Sequence, residues 1–104
     1  MAVLHINALD QLNALAQNES TLILDFFATW CGPCRMIAPY FEELAAKNPS
    51  IKFIKIDVDQ AGDIARQYKI RAMPTFKLIK NGQEVASFTG ASKDQLNDLV
   101  AKAQ

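Results

Sequence analysis

Along the chain, short apolar runs trade places with stretches whose apolar residues recur every three to four positions, the mark of strands interleaved with helices. Ala2 to Ile6 reads as a short apolar strand. Asn7 is placed to cap a helix carrying Leu9, Leu12 and Ala16 on one face. Leu22 to Ala28 is too apolar and too short for a surface helix and predicts a buried strand. A long helix follows from about Cys34 to Asn48, with Ile37, Phe41, Leu44 and Ala45 as its stripe. Pro39 interrupts it, and because proline cannot donate to the carbonyl of Arg35 a kink is expected there rather than an end. Pro49 marks the stop.

Lys52 to Val58 alternates Phe53, Lys55 and Asp57 against Ile54, Ile56 and Val58, and a short helix is expected near Asp63 to Tyr68. Thr75 to Lys80 and Glu84 to Thr89 flank Asn81-Gly82, the dipeptide that best supplies the positive φ angles of a tight hairpin. The last helix opens on Ser92-Lys93-Asp94-Gln95, a capping box, and buries Leu96, Leu99, Val100 and Ala103. The order is βαβαβ, then α, then ββα. Strands joined through helices favour parallel pairing with right-handed crossovers, and the hairpin adds an antiparallel edge. The class is α/β, one sheet with helices on both faces, because the middle strands have no polar side.

No repeat, linker or low-complexity tract divides the 104 residues, and residues 1–104 are expected to form a single domain. Half of them are hydrophobic and 21% charged, which excludes a disordered chain. Eleven Lys and Arg balance eleven Asp and Glu, so the attraction to phosphates expected of a nucleic-acid binder is missing. The first basic residue is Arg35, which argues against a secretory signal or a transit peptide. No apolar run reaches the ~20 residues of a membrane span. The expectation is a mature, soluble, cytoplasmic protein.

Two cysteines carry the chemistry. Trp30-Cys31-Gly32-Pro33-Cys34 sits where the buried strand passes into the long helix. A structural zinc needs four ligands, and the only other Cys or His is His5. An iron–sulfur cluster asks for four thiolates. A purely structural bond closing so short a loop contributes only about 2 kcal/mol, and a reducing compartment would not keep it. A reversible redox pair remains, in the βαβ setting where such a motif is expected. Cys31 falls at the first turn of the helix, where unpaired N–H groups and the positive dipole end stabilise a thiolate. Cys34 lies one turn on, close enough to bridge. Gly32 lets the backbone turn, Pro33 restricts it at a helix start, and Arg35 adds a cation. Cys31 is therefore the attacking sulfur and Cys34 the resolving one.

Asp25 lies between Leu24 and Phe26 inside an apolar strand, where burial favours its neutral form and raises its pKa. Asp57 and Asp59 alternate like metal carboxylates, but a solvated strand end is the simpler expectation. His5 is taken as structural or exposed, and Val58 as core or as the border of the surface around the thiols.

From end to end the chain resembles the thioredoxin family. The resemblance rests on Trp30 to Cys34, Asp25-Phe26, Ala28, Pro39, Lys55, Met73-Pro74-Thr75, Asn81-Gly82 and Gly90, all at the family's spacing. Phe27 departs from it, standing where many bacterial members have tryptophan, and no third cysteine exists for extra-thiol regulation. The resemblance implies the thioredoxin fold, a mixed five-stranded sheet flanked by four helices. It implies a protein disulfide reductase that takes electrons from NADPH through thioredoxin reductase and binds no metal or organic cofactor itself. Its expected clients are disulfide proteins such as ribonucleotide reductase, peroxiredoxins and methionine sulfoxide reductase; it would bind no nucleic acid or membrane and act mainly as a monomer.

The same resemblance makes Asp25 the proton acceptor for Cys34, through a water, and sets Lys55 close to Asp25, where it favours the charged carboxylate. It makes the Met73–Pro74 bond cis and facing the cysteines. An apolar substrate-binding surface is expected from Trp30, Gly32, Pro33, Ala72, Met73, Pro74, Thr89, Gly90 and Ala91, with the Met73 backbone free to pair with an extended segment. An oxidase or isomerase on this fold is disfavoured by Gly-Pro between the cysteines, where such relatives usually carry histidine. A redox-gated binding module using the same two sulfurs stays open at this level.

Overall fold

The structure, a computed structural model, describes residues 2–104. Its elements are β1 (Val3–His5), α1 (Leu9–Asn18), β2 (Thr21–Phe27), α2 (Gly32–Lys47), β3 (Lys52–Asp57), α3 (Gly62–Gln67), β4 (Thr75–Lys80), β5 (Gln83–Thr89) and α4 (Lys93–Ala103). The strands form one sheet in the order β1-β3-β2-β4-β5. β3 runs parallel to both β1 and β2; β4 is antiparallel to β2, and β5 to β4. The expected mixed sheet with an antiparallel hairpin at its edge is what forms.

Alternation along β2 assigns the faces. Leu22, Leu24 and Phe26 pack with Ile54 and Ile56 of β3 against Leu12 of α1 and Ile64 of α3. Ile23 packs on the other face with Phe53, Phe76 and Leu78 against α2 and α4. Phe41 of α2 meets Phe53 edge-on, with ring centres 5.3 Å apart, and Phe76 at 5.8 Å. Each fully buried phenylalanine contributes up to about 3 kcal/mol. Helices thus cover both faces because every position of β2 but its last is buried, Asp25 included.

Several local expectations are corrected. Asn7 does not cap α1: the cap is Ala8, without a side-chain bond, and the Asn7 amide donates instead to Gln60 Oε1 at 2.8 Å. A long-range partner on the β3–α3 turn has taken the side chain that local sequence offered to the helix. α2 begins at Gly32 rather than Cys34, so Cys31 is the residue before the helix and not part of its first turn. It continues through Pro39 to Lys47. At α4 the Ser92 hydroxyl accepts from the Gln95 N–H at 3.1 Å, one of the two bonds of a capping box. Asn81 (φ 53°) and Gly82 (φ 79°) both adopt the left-handed angles that a two-residue hairpin loop needs.

A thiol–disulfide site at the start of the second helix

β2 ends at Phe27, and the chain turns through Ala28, Thr29 and Trp30 into α2. The turn is held from both sides. The Cys31 N–H donates to the Ala28 carbonyl at 3.2 Å, and Arg35 Nη1 donates to the Thr29 carbonyl at 2.8 Å. Arg35 is therefore first a brace of the loop, a role its charge alone did not suggest. Cys31 has the extended backbone of a capping residue, and its Sγ accepts from the Cys34 N–H at 3.2 Å. Gly32 and Pro33 fill the first two helical positions, where proline loses no helix bond. The Cys31 sulfur thus takes the place of a capping oxygen at the N-terminal end of the helix.

Cys31 and Cys34 are joined as a disulfide with Cα atoms 5.3 Å apart. Both are nearly covered, 5% and 3% exposed, in a small apolar nest with Ala28, against which Phe27, Val58 and Met73 pack. No group of three or more His, Cys, Asp or Glu among the described residues is gathered so as to hold a metal ion. Asp57 is buried at 8% exposure, not the solvated strand end expected, because its carboxylate accepts the Asp59 N–H at 2.9 Å and shapes the turn after β3.

Asp25 is 1% exposed and pairs in register with Lys55 of β3. Its Oδ1 has no hydrogen-bond partner among the described residues. Burial pushes its pKa from 3.8 up to about 7, and the Lys55 ammonium pulls only partly back. A carboxyl that changes its charge near neutrality is suited to receive and return a proton. The Lys55 ammonium stands 4.5 Å from the centre of the Phe27 ring, a cation–π contact made by the residue that departs from the bacterial pattern. His5, exposed on β1, meets the same ring edge-on at 6.4 Å.

Apart from Trp30 in the β2–α2 turn, the remaining residues singled out in the sequence lie at the start of β4, at the end of β5 and on the loops beside them. The Met73–Pro74 peptide is cis. The Gly90 N–H donates to the Pro74 carbonyl at 2.8 Å, and Thr75 pairs with Thr89 through their backbones and hydroxyls, so the two loops are stitched together. Ala72, Thr89 and Ala91 are exposed, Met73 and Gly90 half-buried and Pro74 buried. Gly90 has φ +112°, a conformation that side chains rarely adopt. Trp30 is 66% exposed, and its Nε1 donates to Asp59 Oδ2 at 3.0 Å. That bond spans 29 residues of sequence, so no local pattern announced Asp59 as the anchor of the indole.

A cysteine pair bonded across one helical turn, with a buried titratable carboxyl in the strand that leads to it, defines a thiol–disulfide oxidoreductase. Comparison with known proteins agrees. The family model described as Thioredoxin matches residues 2–102. A thioredoxin of the fungus Coprinus comatus is 47% identical over 100 residues, 94% of each chain. The thioredoxin of Gallus gallus is 46% identical over 85 residues, covering 82% of this chain and 81% of its own. Among solved structures, a cysteine-to-serine variant of an Entamoeba histolytica thioredoxin superposes with a TM-score of 0.93 at 57% identity, over 97% of this chain and 99% of that one. The chain belongs to the thioredoxin family.

Proposed function

We propose that this protein reduces disulfides in other proteins and is itself recharged by thioredoxin reductase at the expense of NADPH. The observation that carries the reading is the Cys31–Cys34 pair at the start of α2, the Cys31 sulfur capping the helix. In the reduced form, the Cys31 thiolate attacks one sulfur of a substrate disulfide. A mixed disulfide forms and the other substrate sulfur leaves as a thiolate. Asp25 then takes the proton of Cys34, and the Cys34 thiolate attacks Cys31 Sγ. The internal disulfide closes and the second substrate thiol is released. Supporting the proton role are the burial of Asp25, its unpaired Oδ1 and a pKa of about 7. Lys55 tunes that carboxyl by favouring its charged form, while Gly32 and Pro33 set the turn that presents Cys31.

Substrates are read as docking on Trp30, Pro33, Ala72, Met73, Pro74, Thr89, Gly90 and Ala91, with the Met73 backbone pairing to an extended segment beside the disulfide. Ribonucleotide reductase, peroxiredoxins and methionine sulfoxide reductase are the clients this reading names. The cytoplasm is the setting it names, since a reducing compartment keeps the pair ready to act. No helix among the described residues is long and apolar enough to cross a membrane.

The test is reduction of insulin disulfides coupled to NADPH consumption by thioredoxin reductase. The parent protein is expected to sustain turnover and Cys31→Ser to abolish it. Activity retained by that variant overturns the assignment of the attacking sulfur.

A further inference from the structure

Beside the disulfide, on the β3 side of α2, a cleft of about 240 Å³ opens between the end of β2 and the helix. Its walls are mainly apolar, formed by Phe27, Ala28, Ala38 and the buried Cys34, with Thr29 beside them. Arg35 and Lys55 also line it, and no carboxylate does. Neither cation belongs to any ion pair among the described residues. Arg35 spends one N–H on the Thr29 carbonyl, which fixes the guanidinium in place with donors to spare. The Lys55 ammonium rests on the Phe27 ring and donates no hydrogen bond among the described residues. Two held cations on an apolar cleft with no anion in its lining leave positive charge there unmatched, whereas the similarly covered Lys77 is paired with Glu84 at 3.0 Å.

We propose that this cleft binds a small organic anion, an aromatic or branched aliphatic carboxylate, with its apolar body against Phe27 and Ala38 and its carboxylate between Arg35 and Lys55. The volume suits a ligand the size of benzoate and falls below the ~300 Å³ at which drug-sized sites begin. Neither half of such a ligand suffices. A bare anion leaves the apolar walls wet, and a neutral ring leaves both cations unmatched. The site borders the surface read above for protein substrates, which spans Trp30, Pro33 and the Met73 and Gly90 loops, but shares no residue with it. It does not depend on the redox reading. Its occupant touches the field at Asp25, however: a carboxylate on Lys55 cancels the one charge that draws Asp25 toward ionisation. By linkage, binding then tightens the proton on Asp25.

The test titrates sodium benzoate into the isotopically labelled oxidised protein at constant ionic strength, following backbone amide shifts, with benzyl alcohol and acetate as separate probes. Saturable shifts are expected at residues 27–29, 34–38 and 55, with benzoate binding about tenfold tighter than benzyl alcohol, the value of one charge-assisted contact, and about tenfold tighter than acetate, which lacks the ring that covers the apolar walls. Lys55→Gln and Arg35→Gln are each expected to weaken benzoate about tenfold by the same reasoning. Ala38→Leu, which fills the cleft without touching either charge, is expected to abolish saturation. In the parent protein, saturating benzoate is expected to raise the pKa of Asp25. Shifts that stay linear in benzoate, that centre on Trp30 and Gly90, or that are indifferent to Ala38→Leu overturn the proposal.

Discussion

Replacing Asp25 by asparagine keeps the shape of the side chain and removes its charge. In the unfolded chain the carboxyl ionises near 3.8; in the folded protein burial holds it protonated up to about 7. The folded state therefore binds the extra proton more tightly, and the stability it contributes is full below the unfolded pKa and lost as pH rises through the folded one. A displacement of this size corresponds to about 4 kcal/mol once both states are ionised. Well below pH 3.8 both carry the proton and the penalty vanishes. Asparagine has no such dependence, so its stability relative to the parent is expected to climb by about 4 kcal/mol from pH 4 to pH 8, whatever constant offset its amide introduces. Urea unfolding of the oxidised proteins, followed by far-ultraviolet circular dichroism across that range, measures the difference directly. A difference that stays flat with pH refutes the claim that Asp25 titrates in a buried site.

Other outcomes follow from single contacts. Ser92→Ala removes the hydroxyl that accepts the Gln95 N–H and is expected to cost about 1 kcal/mol, read as a lower Tm with the disulfide chemistry unaffected. Asp59→Ala frees the only indole from its acceptor; stability should change by less than about 1.5 kcal/mol, since the bond is exposed. The anisotropy decay of Trp30 fluorescence should nonetheless reveal a looser ring, and unchanged mobility would deny Asp59 its anchoring role. Phe53→Ala, in the centre of the α2-side core, is expected to cost about 3–5 kcal/mol in urea unfolding.

How much of this was legible in the sequence depends on the range of the interactions involved. The strand and helix order followed from periodicity, because a buried β2 and an amphipathic α2 are written in residues that are near neighbours. The hairpin at Asn81-Gly82 was legible for the same reason: two adjacent positive φ angles admit few dipeptides. The helix start was placed late, since Cys31 caps with sulfur where serine or aspartate is the usual signal. Asn7 misled because a good local cap was claimed by Gln60, 53 residues away. The charge of Arg35 shows in the sequence, whereas its bracing of the Thr29 carbonyl exists only in the folded geometry. The pairing of Trp30 with Asp59 and the gathering of Arg35 and Lys55 on one cleft are products of topology, and no window of sequence holds both members of either pair.

The central claim is that the helix start makes the sulfur of Cys31 the ionised, attacking one. Fully reduced protein treated with iodoacetamide across a pH series, with each cysteine quantified by peptide mass spectrometry, addresses it most directly. Cys31 is expected to be alkylated first, with a midpoint below the ~8.5 of a free thiol, and Cys34 to stay protected until well above it. Alkylation of Cys34 ahead of Cys31, or a Cys31 midpoint at or above the free-thiol value, would contradict the account.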